Sequence, residues 1–76
     1  MISVRKYIKL PTHKECEMLN KIAKTSKCNV RFNSSKDIVN VANLSSLLEM
    51  ESGFYYIFIE GKDEREIFEK IKEIIK

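Results

Sequence analysis

Six consecutive residues, Phe54-Tyr55-Tyr56-Ile57-Phe58-Ile59, are all aromatic or β-branched, so both faces of any strand they form are apolar. Such a strand needs a neighbour on each side and a further layer against its face. The rest of the chain must therefore supply more strands and enough amphipathic helix to cover a sheet. A length of 76 residues leaves room for little else. A chain of this size buries roughly 60% of its unfolded surface, enough for one small core. That excludes a deep catalytic cavity and a large multi-substrate enzyme.

Read by period, Ile2 to Leu10 is a strand. Ile2, Val4, Ile8 and Leu10 alternate with Ser3, Arg5, Tyr7 and Lys9, and Lys6 interrupts the inner row. Pro11 ends it. Thr12-His13-Lys14-Glu15 has the form of a capping box, in which a hydroxyl and a carboxylate each satisfy an orphan amide at a helix start. The helix is expected to run to about Ser26, with Cys16, Leu19, Ile22, Ala23 and Ser26 as its inner stripe and Lys14, Lys21, Lys24 and Lys27 facing water. Strands at Asn29 to Asn33 and Asp37 to Val41, around the polar turn Ser34-Ser35-Lys36, predict a hairpin.

Asn43 is a good N-cap for a brief helix carrying Leu44, Leu47 and Leu48, terminated by Ser52-Gly53. The run from Phe54 follows as a central strand. After Gly61, Asp63 and Glu66 predict a second capping box, and Ile67, Phe68, Ile71, Ile74 and Ile75 line one side of a last helix. The order β-α-β-β-α-β-α, without repeats or a linker, predicts an α+β open-faced sandwich over residues 1–76. Its four-stranded sheet is mostly antiparallel and its helices lie on one face.

The strand ending in Pro11-Thr12, the helix ending in Ser26-Lys27, Val39-Asn40-Val41 before a short helix, and the junction Ile59-Glu60-Gly61-Lys62-Asp63-Glu64 sit where one family has similar residues. In element order and spacing the chain resembles HPr, the histidine-containing phosphocarrier protein of the sugar phosphotransferase system, over almost its whole length. The resemblance implies a phosphorylated histidine at the start of the first helix, an arginine that helps hold the phosphoryl group, and phosphotransferase-system proteins or a regulator as partners.

The family's active-site pattern, approximately Gly-Leu-His-Ala-Arg-Pro-Ala, is where this chain departs. Anchored on Pro11-Thr12, the histidine and arginine positions fall on Glu15 and Glu17; anchored on Ser26-Lys27, they fall on Lys14 and Cys16. His13 takes the family position in neither alignment, and neither supplies an arginine. A phosphoryl group at a helix start is held by free amides, the positive dipole end and a nearby cation. Here a capping box uses amides, and two carboxylates add like charge, which at about 5 Å costs roughly 3 kcal/mol at an effective dielectric near 20. The carboxylates instead suggest a fixed mimic of a phosphorylated site. The family's regulatory serine falls on Asn43, which caps a helix but has no hydroxyl to phosphorylate. Its partner surface of exposed apolar residues on the first two helices falls on Met18, Leu44 and Leu48.

Other chemistries are less well served. His13 and Cys16 share a helical face, but zinc needs three or four ligands, so no metal site and no cofactor are expected. Cys16 reads as a core thiol, and two cysteines with no sign of secretion suggest reduced thiols in a cytoplasm. No Ser-His-Asp, Cys-His, paired-carboxylate or glycine-rich phosphate-loop arrangement supports an enzyme. The apolar stretch Tyr55 to Ile59, even with Phe54 before it, is too short to cross a bilayer.

A net charge of +3 is spread along the chain. Nucleic acid is disfavoured because arginine is scarce and no RNP-like, GXXG or helix-turn-helix signature is present. If Ile57 and Ile59 face the helices, Tyr56 and Phe58 face away, with Tyr7 beside them. These aromatics read as a homodimer or partner contact, as a stacking platform for bases, or as cross-strand stabilisers. The expectation is a protein-interaction or regulatory module. The first alternative is a divergent phosphocarrier using His13, and the second a small nucleic-acid-binding module.

Overall fold

In the computed structural model, which describes residues 1–75, the elements are β1 (Ile2–Ile8), α1 (His13–Thr25), β2 (Asn29–Asn33), β3 (Ile38–Asn40), α2 (Leu44–Glu49), β4 (Gly53–Glu60) and α3 (Glu64–Ile74). The strands form one four-stranded sheet in the order β1-β4-β2-β3. Every pair is antiparallel. β4, apolar on both faces, lies between β1 and β2, pairing Val4 with Ile57 on one side and Phe32 with Ile57 on the other. The β2–β3 hairpin forms as expected, with Phe32 opposite Val39.

One face of the sheet is covered by the helices. Ile8, Val30, Phe32, Val39, Tyr55, Ile57 and Ile59 point into the layer between, where they meet Cys16, Leu19 and Ala23 of α1, Leu47 of α2, and Ile67 and Ile71 of α3. Area bookkeeping puts each fully buried aliphatic side chain at about 1.5–3 kcal/mol, so this layer dominates the stability. The predicted stripe of α1 holds, with an addition. Asn20, four residues after Cys16, is buried, and its Nδ2 donates to the Val41 carbonyl at 3.1 Å.

Several boundaries differ from the sequence reading. β1 stops at Ile8: the Leu10 amide leaves the ladder and donates to Ser52 Oγ at 2.6 Å, and the Leu10 side chain is exposed. β3 is shorter than the expected Asp37 to Val41 at both ends, spanning Ile38–Asn40: Asp37 belongs to the turn, its carbonyl accepting from Ser34 N at 2.8 Å, and Val41 lies past the strand with its amide still donating to the Val30 carbonyl at 3.0 Å. α2 ends before Ser52-Gly53, at Glu49, where Met50 turns extended and buries its side chain.

The second capping box, Asp63 with Glu66, does not form. Asp63 sits at φ −106° and ψ 29°, outside the extended conformation that aims a cap side chain at the helix amides, and makes no cap hydrogen bond. The carboxylate of Glu64 instead turns back from the helix start, accepting from Gly61 N at 3.5 Å and pairing with the α-amino group of Met1 at 2.6 Å. Gly61 itself has φ +154°, and a Cβ there would lie 2.8 Å from both Cα and Sγ of Cys28. Only glycine allows this close approach between the β4–α3 junction and the start of β2.

Candidate functional site

The capping box predicted at Thr12 is present. Glu15 N donates to Thr12 Oγ1 at 3.1 Å and Thr12 N donates to Glu15 Oε1 at 2.9 Å. Cys16 N donates to the Thr12 carbonyl at 2.9 Å and opens the helical ladder. Of the first-turn amides, those of His13 and Lys14 are left without a place in the helical ladder. His13 and Glu17 stand one turn apart, with Nδ1 and Oε1 at 3.6 Å and side chains 69% and 57% exposed. At that exposure the dielectric approaches that of water, and repulsion between a phosphoryl group and one carboxylate falls toward about 1 kcal/mol. The closed cap and the lack of arginine in α1 therefore weigh more than the like charge.

The remaining candidate positions separate by burial. Lys14 and Glu17 are exposed, and Glu15 is half-buried with its carboxylate turned back on the Thr12 amide. Cys16 is buried, its Sγ 3.6 Å from the Leu47 carbonyl, and burial with the neighbouring Glu15 charge pushes the thiol pKa up. A neutral core thiol is neither nucleophile nor metal ligand. Among the described residues no three His, Cys, Asp or Glu side chains are grouped to hold a metal ion.

Asn43 caps α2, its Oδ1 accepting from Ser46 N at 3.3 Å. Cys16 and Asn20 of α1 bond to Leu47 and Val41, so α1 and α2 lie side by side. This brings the exposed Met18 and Leu48 and the half-buried Leu44 to adjoining helices.

The far face of the sheet is uncovered, and more is gathered there than Tyr7, Tyr56 and Phe58. Phe54 joins them, its ring edge-on to Tyr7 with centroids 5.3 Å apart. Arg5 lies over Phe54 with Cζ 4.4 Å from the ring centroid, and Arg31 lies over Phe58 at 4.7 Å. The alternation of β4 already places Phe54 with Tyr56 and Phe58, and that of β1 places Arg5 with Tyr7. The signal for both was in the sequence. The Arg31–Phe58 pair depends on β2 lying beside β4, which the sequence does not show.

By structure the chain is similar to crystallised HPr-C-His from Thermoanaerobacter tengcongensis, with a TM-score of 0.80 at 17% sequence identity, covering 99% of this chain and 91% of that one. It is similar also to the phosphocarrier protein HPr from Bacillus anthracis strain Ames, with a TM-score of 0.74 at 13% identity, covering 97% of this chain and 98% of that one. No protein-family model and no curated protein sequence matches the chain. The likeness is one of fold, and the fold is HPr-like. No helix among the described residues is long and apolar enough to cross a membrane.

Proposed function

We propose that this HPr-like chain is a protein-interaction or regulatory module of phosphotransferase-system lineage that works in the cytoplasm and does not carry a phosphoryl group. The observation that carries the reading is the start of α1. There Thr12 and Glu15 close on each other, and the family's catalytic positions are held by Glu15 and Glu17 or by Lys14 and Cys16. Phosphoryl transfer draws its stabilisation from donors and cations placed around the moving group. A glutamate-bearing helix start offers the opposite sign. The charge of Glu15 and Glu17 stands at the positive end of the helix dipole, where a phosphorylated relative would carry its own negative charge. A partner that reads that state would find it permanently presented beside Met18, Leu44 and Leu48.

A divergent phosphocarrier is the second reading. It is favoured by the exposure of the His13 side chain at a helix start where the amides of His13 and Lys14 have no place in the helical ladder.

Capture from the native cytoplasm on immobilised protein tests the first reading, comparing the unaltered chain with Met18→Asp/Leu48→Asp and with Glu15→Gln/Glu17→Gln. The expected result is one protein held by the unaltered chain and lost from both variants, each still folded by circular dichroism. Capture that survives both changes contradicts it.

A further inference from the structure

We infer that the open face of the sheet is a binding surface for single-stranded nucleic acid, a role separate from that of the helical face. The register lays its side chains out as a grid. Tyr7 stands opposite Phe54; Arg5, Tyr56, Asn33 and Ile38 form the next row; Ser3, Phe58, Arg31 and Asn40 form the third. Phe54, Tyr56 and Phe58, at alternate positions of one strand, are spaced by about 6.7 Å, a distance an extended nucleotide can span. Tyr7, Phe54 and Tyr56 are each more than half exposed. An open depression of about 570 Å³ lies among Arg5, Asn33, Ser34, Ser35, Phe54 and Tyr56.

The charge on this face selects the occupant. Two of the chain's three arginines stand on it, each stacked on a phenylalanine. Glu60 is the only acidic residue at an outward strand position among the described residues, and it lies opposite Asn29 at the end away from the depression. A second copy docking face to face would set one net positive face against another, with only Glu60 to offset Arg5 and Arg31, which disfavours a symmetric pair. A flat anionic partner matches both the charge and the rings.

Single-stranded nucleic acid supplies both in every nucleotide, a phosphate for a guanidinium and a base for an aromatic face or the outer plane of a stacked arginine. The scarcity of arginine that argued against nucleic acid in the sequence does not hold for this face, because the fold concentrates what there is.

Fluorescence anisotropy with fluorescein-labelled oligothymidylate and oligouridylate tests the inference on the full chain. Binding at low salt should weaken as salt rises, with a log–log slope of about −1 to −2 for two phosphate contacts. Tyr56→Ala and Phe54→Ala should each lower affinity roughly 5- to 100-fold, as expected for lost base stacking. Arg31→Lys, which keeps the charge and removes the planar group, should weaken binding by a smaller factor. Lys21→Gln/Lys24→Gln on the helical layer should leave it unchanged. No binding at low salt overturns the inference. So does binding lost through the lysine pair and not through Tyr56, which is a helix-face polyanion effect. Equal affinity for polyglutamate, weakened in the same way by Tyr56→Ala, would assign the face to an acidic polypeptide and overturn it as well.

Discussion

The hydroxyl of Thr12 and the carboxylate of Glu15 accept from each other's backbone amides, at 3.1 and 2.9 Å. This reciprocal pair fixes where α1 begins and removes donors that an anion there would use. Thr12→Ala leaves the Glu15 amide without its cap and should cost about 1 kcal/mol of stability, read from the midpoint of urea unfolding at constant slope. A loss under a few tenths would mean that water replaces the hydroxyl without penalty.

Asn20 joins α1 to Val41, the residue after β3, through a buried hydrogen bond of 3.1 Å. Asn20→Ala strands the Val41 carbonyl and should destabilise by about 1–3 kcal/mol. Asn20→Asp should be worse at neutral pH, since a buried carboxylate faces a carbonyl with no proton to share. Burial raises the folded pKa of that carboxyl, so the deficit should shrink as the solution is acidified and the side chain regains a donor. Thermal melts of the two variants at pH 5 and pH 7 separate these outcomes.

Gly61 is the position where the backbone itself sets the requirement. With φ at +154° and a side-chain methyl that would sit 2.8 Å from Cys28, Gly61→Ala combines strain with overpacking. The expected cost is about 2–4 kcal/mol, measured by urea unfolding. Gly53, whose Cβ would meet nothing closer than a Tyr55 ring atom at 4.0 Å, serves as the comparison and should tolerate alanine.

The two thiols should behave differently. Cys28 is half-buried and Cys16 is buried with its pKa raised by burial first and by Glu15 second, so a thiol reagent at pH 8 should label Cys28 early and Cys16 only as the chain unfolds. The sign of the pH effect follows from the raised pKa. The folded state keeps the Cys16 proton where the unfolded chain has lost it, so its contribution is complete below an unfolded thiol pKa of about 8.5 and is lost as pH rises through the folded value. Tyr55, whose hydroxyl donates to the Glu51 carbonyl at 2.7 Å, is shifted the same way by burial and adds to the alkaline loss at higher pH. Cys16→Ala should start less stable and show a shallower decline above a pH of about 8.5, measured by urea unfolding across that range.

Local rules carried the sequence reading far. Thr12 and Glu15, Asn43, and the alternation of β4 each depend on neighbours within a few residues, and each is realised. The failures depend on distant partners. Leu10 leaves the strand because Ser52 takes its amide, and at the start of α3 Asp63 makes no cap hydrogen bond while the Glu64 carboxylate pairs with the distant α-amino group of Met1. Asn20 sits at a helical spacing that predicts burial, yet a polar residue there makes sense only once Val41 is beside it. The arginine–aromatic face was half visible: Arg5 with Tyr7 shows in one strand's alternation, while Arg31 over Phe58 needs the strand order.

A kept fold without the phosphoryl chemistry has a direct readout in mass. The chain is incubated with the general phosphotransferase enzyme and phosphoenolpyruvate, beside an ordinary HPr as positive control, and both are weighed by intact-mass spectrometry. This chain should emerge with its mass unchanged under conditions that fully phosphorylate the control. An acid-labile phosphoryl adduct on it, absent from His13→Ala, would show instead that the helix start still carries a phosphoryl group.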